Sequence, residues 1–318
     1  MDEKLKVSII VPVHDAANTI ENCVLSIVEQ SYSNIECILV ENGSSDNSLE
    51  KCRYLADTYD CVKVLKSEQV GVSSARNLGL SAVTGEIIGF CDADDFLEQD
   101  SISIVVAAFL NNPDIIGVMS AFYIGSEGLT GLIKKYKGIR KNILSAEEAI
   151  ILSIGNDNVM GSVWNRFYRT EVAKRILFHT DLSYCEDTYY NVKLLSGNIS
   201  KKLLYAQQAL YCYMMNESSA TNNRNRIFDE NGELKYIIAL KRILSDCHLN
   251  RKCSSIVKMQ IVVLAIEHLW FGVNSQIQAV QLKKEIKENV IYFIKNIWRF
   301  NFIKNIKRLI KIIVIRFR

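Results

Sequence analysis

The chain has 318 residues, 49% of them hydrophobic and 23% charged, a composition that supports a sizeable core and excludes a disordered or low-complexity chain. The formal net charge of +3 is unevenly divided. Residues 291–318 carry eight Lys and Arg and no acid, while the remainder carries 30 basic against 35 acidic residues, a net of −5. Nine cysteines without a C-x-x-C pair exclude a disulfide framework and a zinc-ribbon spacing, and they fit buried thiols in a reducing compartment.

The N-terminus, Met1 to Lys6, is charged and runs directly into Val7–Val13, which is not the layout of a signal peptide. Val7–Val13 is predicted as a strand closed by Pro12. Asn18 and Glu21 have the spacing of a capping box before a helix with Ile20, Cys23, Val24, Ile27 and Val28 on one face. Ile35–Val40 is a second strand, Gly43–Ser48 a turn and cap, and Leu49, Cys52 and Leu55 mark the next helix. Val62–Leu65 is a third strand. Ser73–Val83 is a helix with Gly85 as its stop, and Ile87–Cys91 is a fourth strand running into Asp92-Ala93-Asp94-Asp95. This alternation predicts a mainly parallel sheet flanked by helices, with its ligand site beyond the carboxyl ends of the strands. The region from Ser120 to Asn225 is mixed. From Ile227 the pattern is helical, and Ile256–Val273, interrupted by Lys258, Glu267 and His268, is predicted as a buried bundle helix rather than a membrane span.

Several chemistries are excluded. The loop His14–Thr19 lacks the glycines of a dinucleotide fingerprint, no G-K-[ST] indicates a P-loop, and no G-x-S-x-G indicates a nucleophile elbow. The four histidines, at 14, 179, 248 and 268, have no metal-ligand spacing. Nucleotidyltransferases also use paired acids on α/β folds, but their Gly/Lys-rich nucleotide loop is missing. A nucleic-acid-binding protein would spread basic and aromatic residues over a groove, whereas this body is acidic. Asp92 and Asp94 project to one side of an extended segment, where two carboxylates suit a hard divalent cation with substrate phosphates. The plainer reading is a solvated turn with Asp95 as a helix N-cap. Arg76, beside Asn77 at a helix start after Gly71, suits a diphosphate or is a surface arginine. Glu186-Asp187 suits a general base or a helix N-cap.

Taken in order, Val7–Asp15, Ser26–Tyr32, Ile35–Asp46, Gly71–Asn77, Gly85–Ile88 and Asp92–Asp95 closely resemble the nucleotide-diphospho-sugar transferases of glycosyltransferase family 2. The resemblance is dense over residues 5 to 110 and thinner to about 225. It implies a GT-A fold (Rossmann-like, α/β, with a mainly parallel sheet) over residues 1–225, with a nucleotide-sugar half at 1–115 and an acceptor half at 116–225. A helical C-terminal region, 226–318, follows. The implied activity is an inverting, metal-dependent transfer from a nucleotide sugar, most often a UDP-sugar, to a glycan or lipid-linked acceptor in surface polysaccharide or glycolipid synthesis. The alternative is a non-catalytic nucleotide-sugar-fold or membrane-surface scaffold protein.

By the same resemblance, Pro12, Val13, Asp15, Glu41 and Asn42 line the nucleoside, and Arg76, Asp92, Ala93 and Asp94 bind the donor. Asp94 and Asp92 hold Mn²⁺ or Mg²⁺. Asp187 is the acceptor-side base with Glu186 beside it, and Trp164 and Asn165 lie on the acceptor side. Asn42 stands where the family often has Asp, and Asp15 where it commonly has Asn. Tyr211–Tyr213 and Ser218–Thr221 resemble a later motif whose usual basic residue is replaced by Met214 and Met215.

In the tail, Phe302, Ile306, Leu309, Ile310, Ile313 and Phe317 fall on one helical face, and Lys304, Lys307, Arg308, Lys311 and Arg318 fall roughly opposite. This pattern predicts a helix in an anionic membrane interface, with packing on the body or a dimer contact as the other readings. The expected location is cytoplasmic, peripheral on the inner face of the cell membrane, with no nucleic-acid partner.

Overall fold

The computed structural model describes residues 5–126, 134–136, 141–155, 161–215, 227–271, 273, 275–298 and 302–316. They fall into two compact units. The first comprises residues 1–146, 162–180 and 198–217, and the second 147–161, 181–197 and 218–318.

The first unit is built on β1 (Val7–Val13), β2 (Ile35–Glu41), β3 (Val62–Lys66) and β4 (Ile87–Phe90), all parallel in the order β3-β2-β1-β4. They are linked by α1 (Ile20–Val28), α2 (Ser48–Thr58) and α3 (Val72–Ala82). β1 and β2 bury nearly every side chain, as a sheet covered on both faces requires. Beyond β4 come β5 (Phe96–Leu97), α4 (Ser101–Asn111), β6 (Ile115–Ser126), β7 (Lys134–Tyr136) and β8 (Ile143–Ser145), followed by β9 (Arg166–Arg169), the short α6 (Thr170–Ala173) and β10 (Lys202–Met215). β9 is inserted antiparallel between β4 and β6, β10 runs parallel to β6, and β5 is antiparallel to β10. The sheet is therefore mixed, parallel around β1 and interrupted at β9.

Three local expectations are corrected. Pro12 does not close β1, which continues to Val13 opposite Glu41. Because the Ile10 carbonyl faces β4, so does position 12, and the β4 ladder ends at Ile10–Phe90, so the missing N–H of Pro12 costs no bond. Asn18 and Glu21 form no capping box. The cap position of α1 is Thr19, whose N–H and Oγ1 both bond back to the Ala16 carbonyl. Gly85 does not terminate α3, which ends in an extended Val83. It is required instead by close approach, since a Cβ there would stand 2.6 Å from the Lys6 carbonyl oxygen.

Below the sheet, at the amino end of the strands, Glu36 is 2% exposed and gathers Ser8 Oγ, Lys63 Nζ and the N–H groups of Thr84 and Gly85. Burial alone would raise its pKa, but these hydrogen bonds outweigh that and hold the carboxylate well below its ordinary range.

The second unit is helical. It takes most of α5 (Ala146–Gly155), α7 (Glu186–Ser196), α8 (Lys235–Asp246), α9 (Arg251–Phe271), α10 (Gln276–Asn296) and α11 (Phe302–Arg316). The compact units thus interleave in sequence before residue 218. α9 is the predicted apolar helix. By length and composition alone it could cross a membrane, but half of that span is buried, and α8, α10 and α11 pack on it. Its inward row includes Cys253, Ile256, Val257, Ile261, Val262 and Ile266.

Candidate active site

At the carboxyl ends of β1 and β2, two loops are zipped together. Gly43 takes a left-handed φ of 74°, and the buried Glu41 accepts the Ser44 N–H at 2.6 Å to close the turn. Asp15, also left-handed at φ 48°, accepts the Ser45 N–H at 2.7 Å, which holds its carboxyl below its ordinary value. Ser44, Ser48 and Asp46 take the N–H groups of Asp15, Ala16 and Ala17. Asn42 is 3% exposed. Its N–H donates to the Val13 carbonyl, its Nδ2 to Gln69 O at 2.8 Å, and its Oδ1 accepts the Gly71 N–H at 2.6 Å. The Asn42 carboxamide thereby pins the loop that leads into α3.

The acidic run after β4 divides its labour. Asp92 and Asp94 are half-buried, and Ala93 is buried. Asp95 is buried and is not a helix cap. Tyr211 Oη donates to its Oδ2 at 2.6 Å, and the Met214 N–H donates to its Oδ1 at 2.7 Å. Burial, with the neighbouring Asp92 and Asp94 carboxylates, pushes Asp95 well above the usual carboxylate range. The same Tyr211 oxygen accepts the Asp92 N–H at 3.0 Å.

Arg76 is buried on α3 and pairs with Asp92 through Nη2 and Oδ1 at 3.1 Å. Its guanidinium lies 5.4 Å from the ring centre of Phe178. Asn77 clamps that ring from both sides of its peptide: Nδ2 donates to Phe178 O at 2.9 Å, and the Phe178 N–H donates to Oδ1 at 2.7 Å. Asn77, Phe178, Asp95 and Tyr211 are structural residues of this site that the sequence motifs did not assign. Asn77, Asp95 and Tyr211 lie inside the quoted motifs without a role in the site, and Phe178 lies in none of them.

Trp164 is buried against Phe122 and stacks on Tyr211 at 4.5 Å and Tyr213 at 5.7 Å. Asn165 is buried beside it, its Nδ2 directed at the Ser120 carbonyl. The acid pair belongs to the second unit. Cys185, at φ 57°, precedes α7, and Glu186 and Asp187 occupy its first turn, half-buried, where the helix dipole favours negative charge. Cys185 holds the N-cap position, so neither acid is the N-cap residue, and Asp187 Oδ1 accepts the Thr188 N–H at 2.7 Å. Burial and these two acids push the Cys185 thiol and the Tyr236 hydroxyl up. Ser218–Thr221 lie outside the described residues.

Among the described residues, no three His, Cys, Asp or Glu side chains are gathered around one point. Asp92 and Asp94 are the two half-buried carboxylates of this strand end; Arg76 ion-pairs with Asp92, and burial first, then the two acids, raises Asp95. That pair of carboxylates does not suit a closed structural site. It suits Mg²⁺ or Mn²⁺, which complete their shells with substrate phosphate and water.

Comparison with known proteins bears on the family and the fold. GlyA, a glycosyltransferase of Streptococcus pneumoniae, is 28% identical over 219 residues, covering 67% of this chain and 31% of GlyA. The minor teichoic acid biosynthesis protein GgaA of Bacillus subtilis is 33% identical over 199 residues, covering 59% of this chain and 43% of GgaA. The chain thus spans less than half the length of either relative. Among solved structures, S. aureus TarS 1–349 in complex with UDP-GlcNAc superposes with a TM-score of 0.66 at 16% identity, over 91% of this chain and 82% of that one. The mannosyltransferase PcManGT of Pyrobaculum calidifontis, in complex with GDP-Man and Mn²⁺, gives 0.55 at 15% identity, over 98% and 87%. These likenesses show the fold, a GT-A-type α/β sheet with flanking helices. The family model described as glycosyl transferase family 2 matches residues 8–177, more than half of the sequence, and the chain belongs to that enzyme family.

Proposed function

We propose that this chain transfers a sugar from a nucleotide-diphospho-sugar, with UDP as its carrier, to a hydroxyl of a glycan or lipid-linked acceptor, with inversion at the anomeric carbon. The observation that carries the proposal is the ion pair of Arg76 with Asp92 beside Asp94, at the end of the strand next to β1. A buried cation and two acids meet there at the carboxyl edge of a parallel sheet, where α/β folds bind ligands. Pro12, Val13, Asp15, Glu41 and Asn42 line the nucleoside. Arg76 faces the diphosphate or the base and Asp92 the ribose, with Ala93 against the donor. Asp94 and Asp92 hold Mg²⁺ or Mn²⁺, which when bound supplies Lewis-acid stabilisation of the departing diphosphate.

The acceptor oxygen forms a bond to the anomeric carbon as the bond from that carbon to the diphosphate oxygen breaks. The electron pair leaves with the diphosphate, and the acceptor proton passes to Asp187, with Glu186 beside it. Trp164 and Asn165 form the acceptor side. A single displacement inverts the centre and needs no covalent enzyme intermediate. The UDP-GlcNAc and the GDP-Man with Mn²⁺ in the two solved structures support the donor class and the metal, and the name of GgaA supports a cell-envelope product. Residues 1–225 carry the transfer, and 226–318 form a helical region whose basic tail, 291–318, meets an anionic membrane on its cytoplasmic face.

A screen for slow hydrolysis of nucleotide sugars by the full chain with Mn²⁺ or Mg²⁺ tests this, because hydrolysis requires no acceptor. Release of UDP from one UDP-sugar is expected. No release, together with no metal-dependent stabilisation by any nucleotide, contradicts the proposal.

A further inference from the structure

Two features of the second unit go beyond the basic tail. First, α11 rests on its neighbours by its polar side. Asn305 is 1% exposed and donates through Nδ2 to the Ile297 carbonyl at 3.1 Å. Arg308 donates from Nε to Glu267 Oε1 at 3.1 Å and from Nη1 to Asn305 Oδ1 at 2.9 Å. Lys311 lies 4.8 Å from the ring centre of Trp270. This seat turns Ile306 and Ile310 outward beside the exposed Lys304 and Lys307. A helix that served only to cover the body would bury its apolar side and expose Asn305 and Arg308.

Second, α10 carries an exposed stripe at three-four spacing. It runs Ile277, Val280, Lys284, Lys287, Ile291 and Ile294, and ends at the exposed Trp298. The opposite side of α10, with Leu282, Ile286 and Phe293, is buried. Apolar ends and a lysine centre make the stripe amphipathic along its length, and nothing in the transferase chemistry uses it.

The charge on this surface selects its occupant. Over α10 and α11 the exposed ionisable residues include Lys283, Lys284, Lys287, Lys295, Lys304 and Lys307 against the single acid Glu288. A second copy applied to the same face would set lysine against lysine. An anionic bilayer takes both halves of the pattern, with the lysines at its headgroups and the isoleucines and Trp298 at the acyl boundary.

We propose that the membrane-docking face is the combined outer surface of α10 and α11, starting at Ile277, rather than the tail alone. This rests on the membrane reading of the tail and extends it by the fourteen residues before it, 277–290. The test uses the full chain and sedimentation with vesicles of phosphatidylcholine, with and without phosphatidylglycerol. The variants are Lys284→Glu/Lys287→Glu, Ile277→Ser/Val280→Ser and a truncation after residue 301. Thermal unfolding checks that each is folded.

The wild type should bind only the phosphatidylglycerol vesicles, and the lysine pair should bind them at least about tenfold more weakly. The Ile277/Val280 pair should also bind more weakly. Wild-type binding by both α10 variants, with binding lost on truncation, overturns the extended face and leaves the tail reading intact. No binding by the wild type overturns both. A concentration-dependent dimer that the Ile277/Val280 pair abolishes, without vesicle binding, places a second copy on this face and also overturns the proposal.

Discussion

The Tyr211 hydroxyl donates to Asp95 at 2.6 Å and in the same position accepts the Asp92 N–H at 3.0 Å. One phenol therefore fixes both ends of the acidic turn. Because its ring also stacks on Trp164 at 4.5 Å, the turn is tied to the segment assigned to the acceptor. Both Asp95 oxygens are occupied, by this bond and by the Met214 N–H, which leaves Asp92 and Asp94 as the carboxylates of the proposed donor site.

Tyr211→Phe keeps the stack and deletes the oxygen. A buried carboxyl and a main-chain N–H each lose a partner, so the variant should lose about 2 kcal/mol of stability. Its KM for the donor should rise through a loosened Asp92. Chemical denaturation and donor titration measure the two effects, and Tyr211→Leu, which also removes the stack, should be less stable than Tyr211→Phe.

The Asn77 clamp on Phe178 makes Arg76 a prepared cation rather than a mobile one. Asn77→Ala should raise the donor KM several-fold while costing about 1–2 kcal/mol of stability. Arg76→Lys keeps the charge but not the planar fork that meets Asp92 and the Phe178 ring, and it should weaken donor binding more than Asn77→Ala does. Isothermal titration with the nucleotide compares them.

Glu36 lies far along the strands from the donor edge and supplies the clearest acid sensitivity. Its folded pKa is depressed, so its contribution to stability is fully present above its ordinary value of 4.5 and is lost as pH falls below it. Glu36→Gln should be less stable than the wild type by about 2 kcal/mol at pH 7. The gap should narrow steadily below pH 4.5 in denaturation curves taken across that range, and a gap independent of pH would contradict the assignment.

Binding of the donor should depend on a divalent ion. Chelation with EDTA should remove the thermal stabilisation conferred by a bound nucleotide, and Mn²⁺ or Mg²⁺ should restore it. The stabilisation in Asp94→Ala should be small with or without the metal.

The first four strands and three helices are legible in the sequence because burial on both faces and helical spacing are local signals, as in Ile35–Glu41 and in Ile20, Cys23, Val24 and Ile27. The strand-end acids and Arg76 are legible because they sit in short ordered motifs. Asn77–Phe178 and Tyr211–Asp95 are not, since the partners lie 101 and 116 residues apart and carry no local signature. Pro12 misleads because its effect depends on which neighbouring strand its missing donor faces. Gly85 misleads because a steric requirement from Lys6 resembles a helix stop. The tail's apolar stripe is plain in sequence, but the side of the helix turned inward shows only in its contacts, such as the buried Asn305 and the bond from Arg308 to Glu267.

The division of roles between Asp94 and Asp187 is tested most directly by metal-dependent nucleotide binding and sugar transfer measured side by side on the folded Asp94→Ala and Asp187→Ala proteins. Both variants should lose transfer, with Asp94→Ala also losing metal-dependent nucleotide binding and Asp187→Ala retaining it. Full turnover by Asp187→Ala, or undiminished metal-dependent binding by Asp94→Ala, would contradict the account.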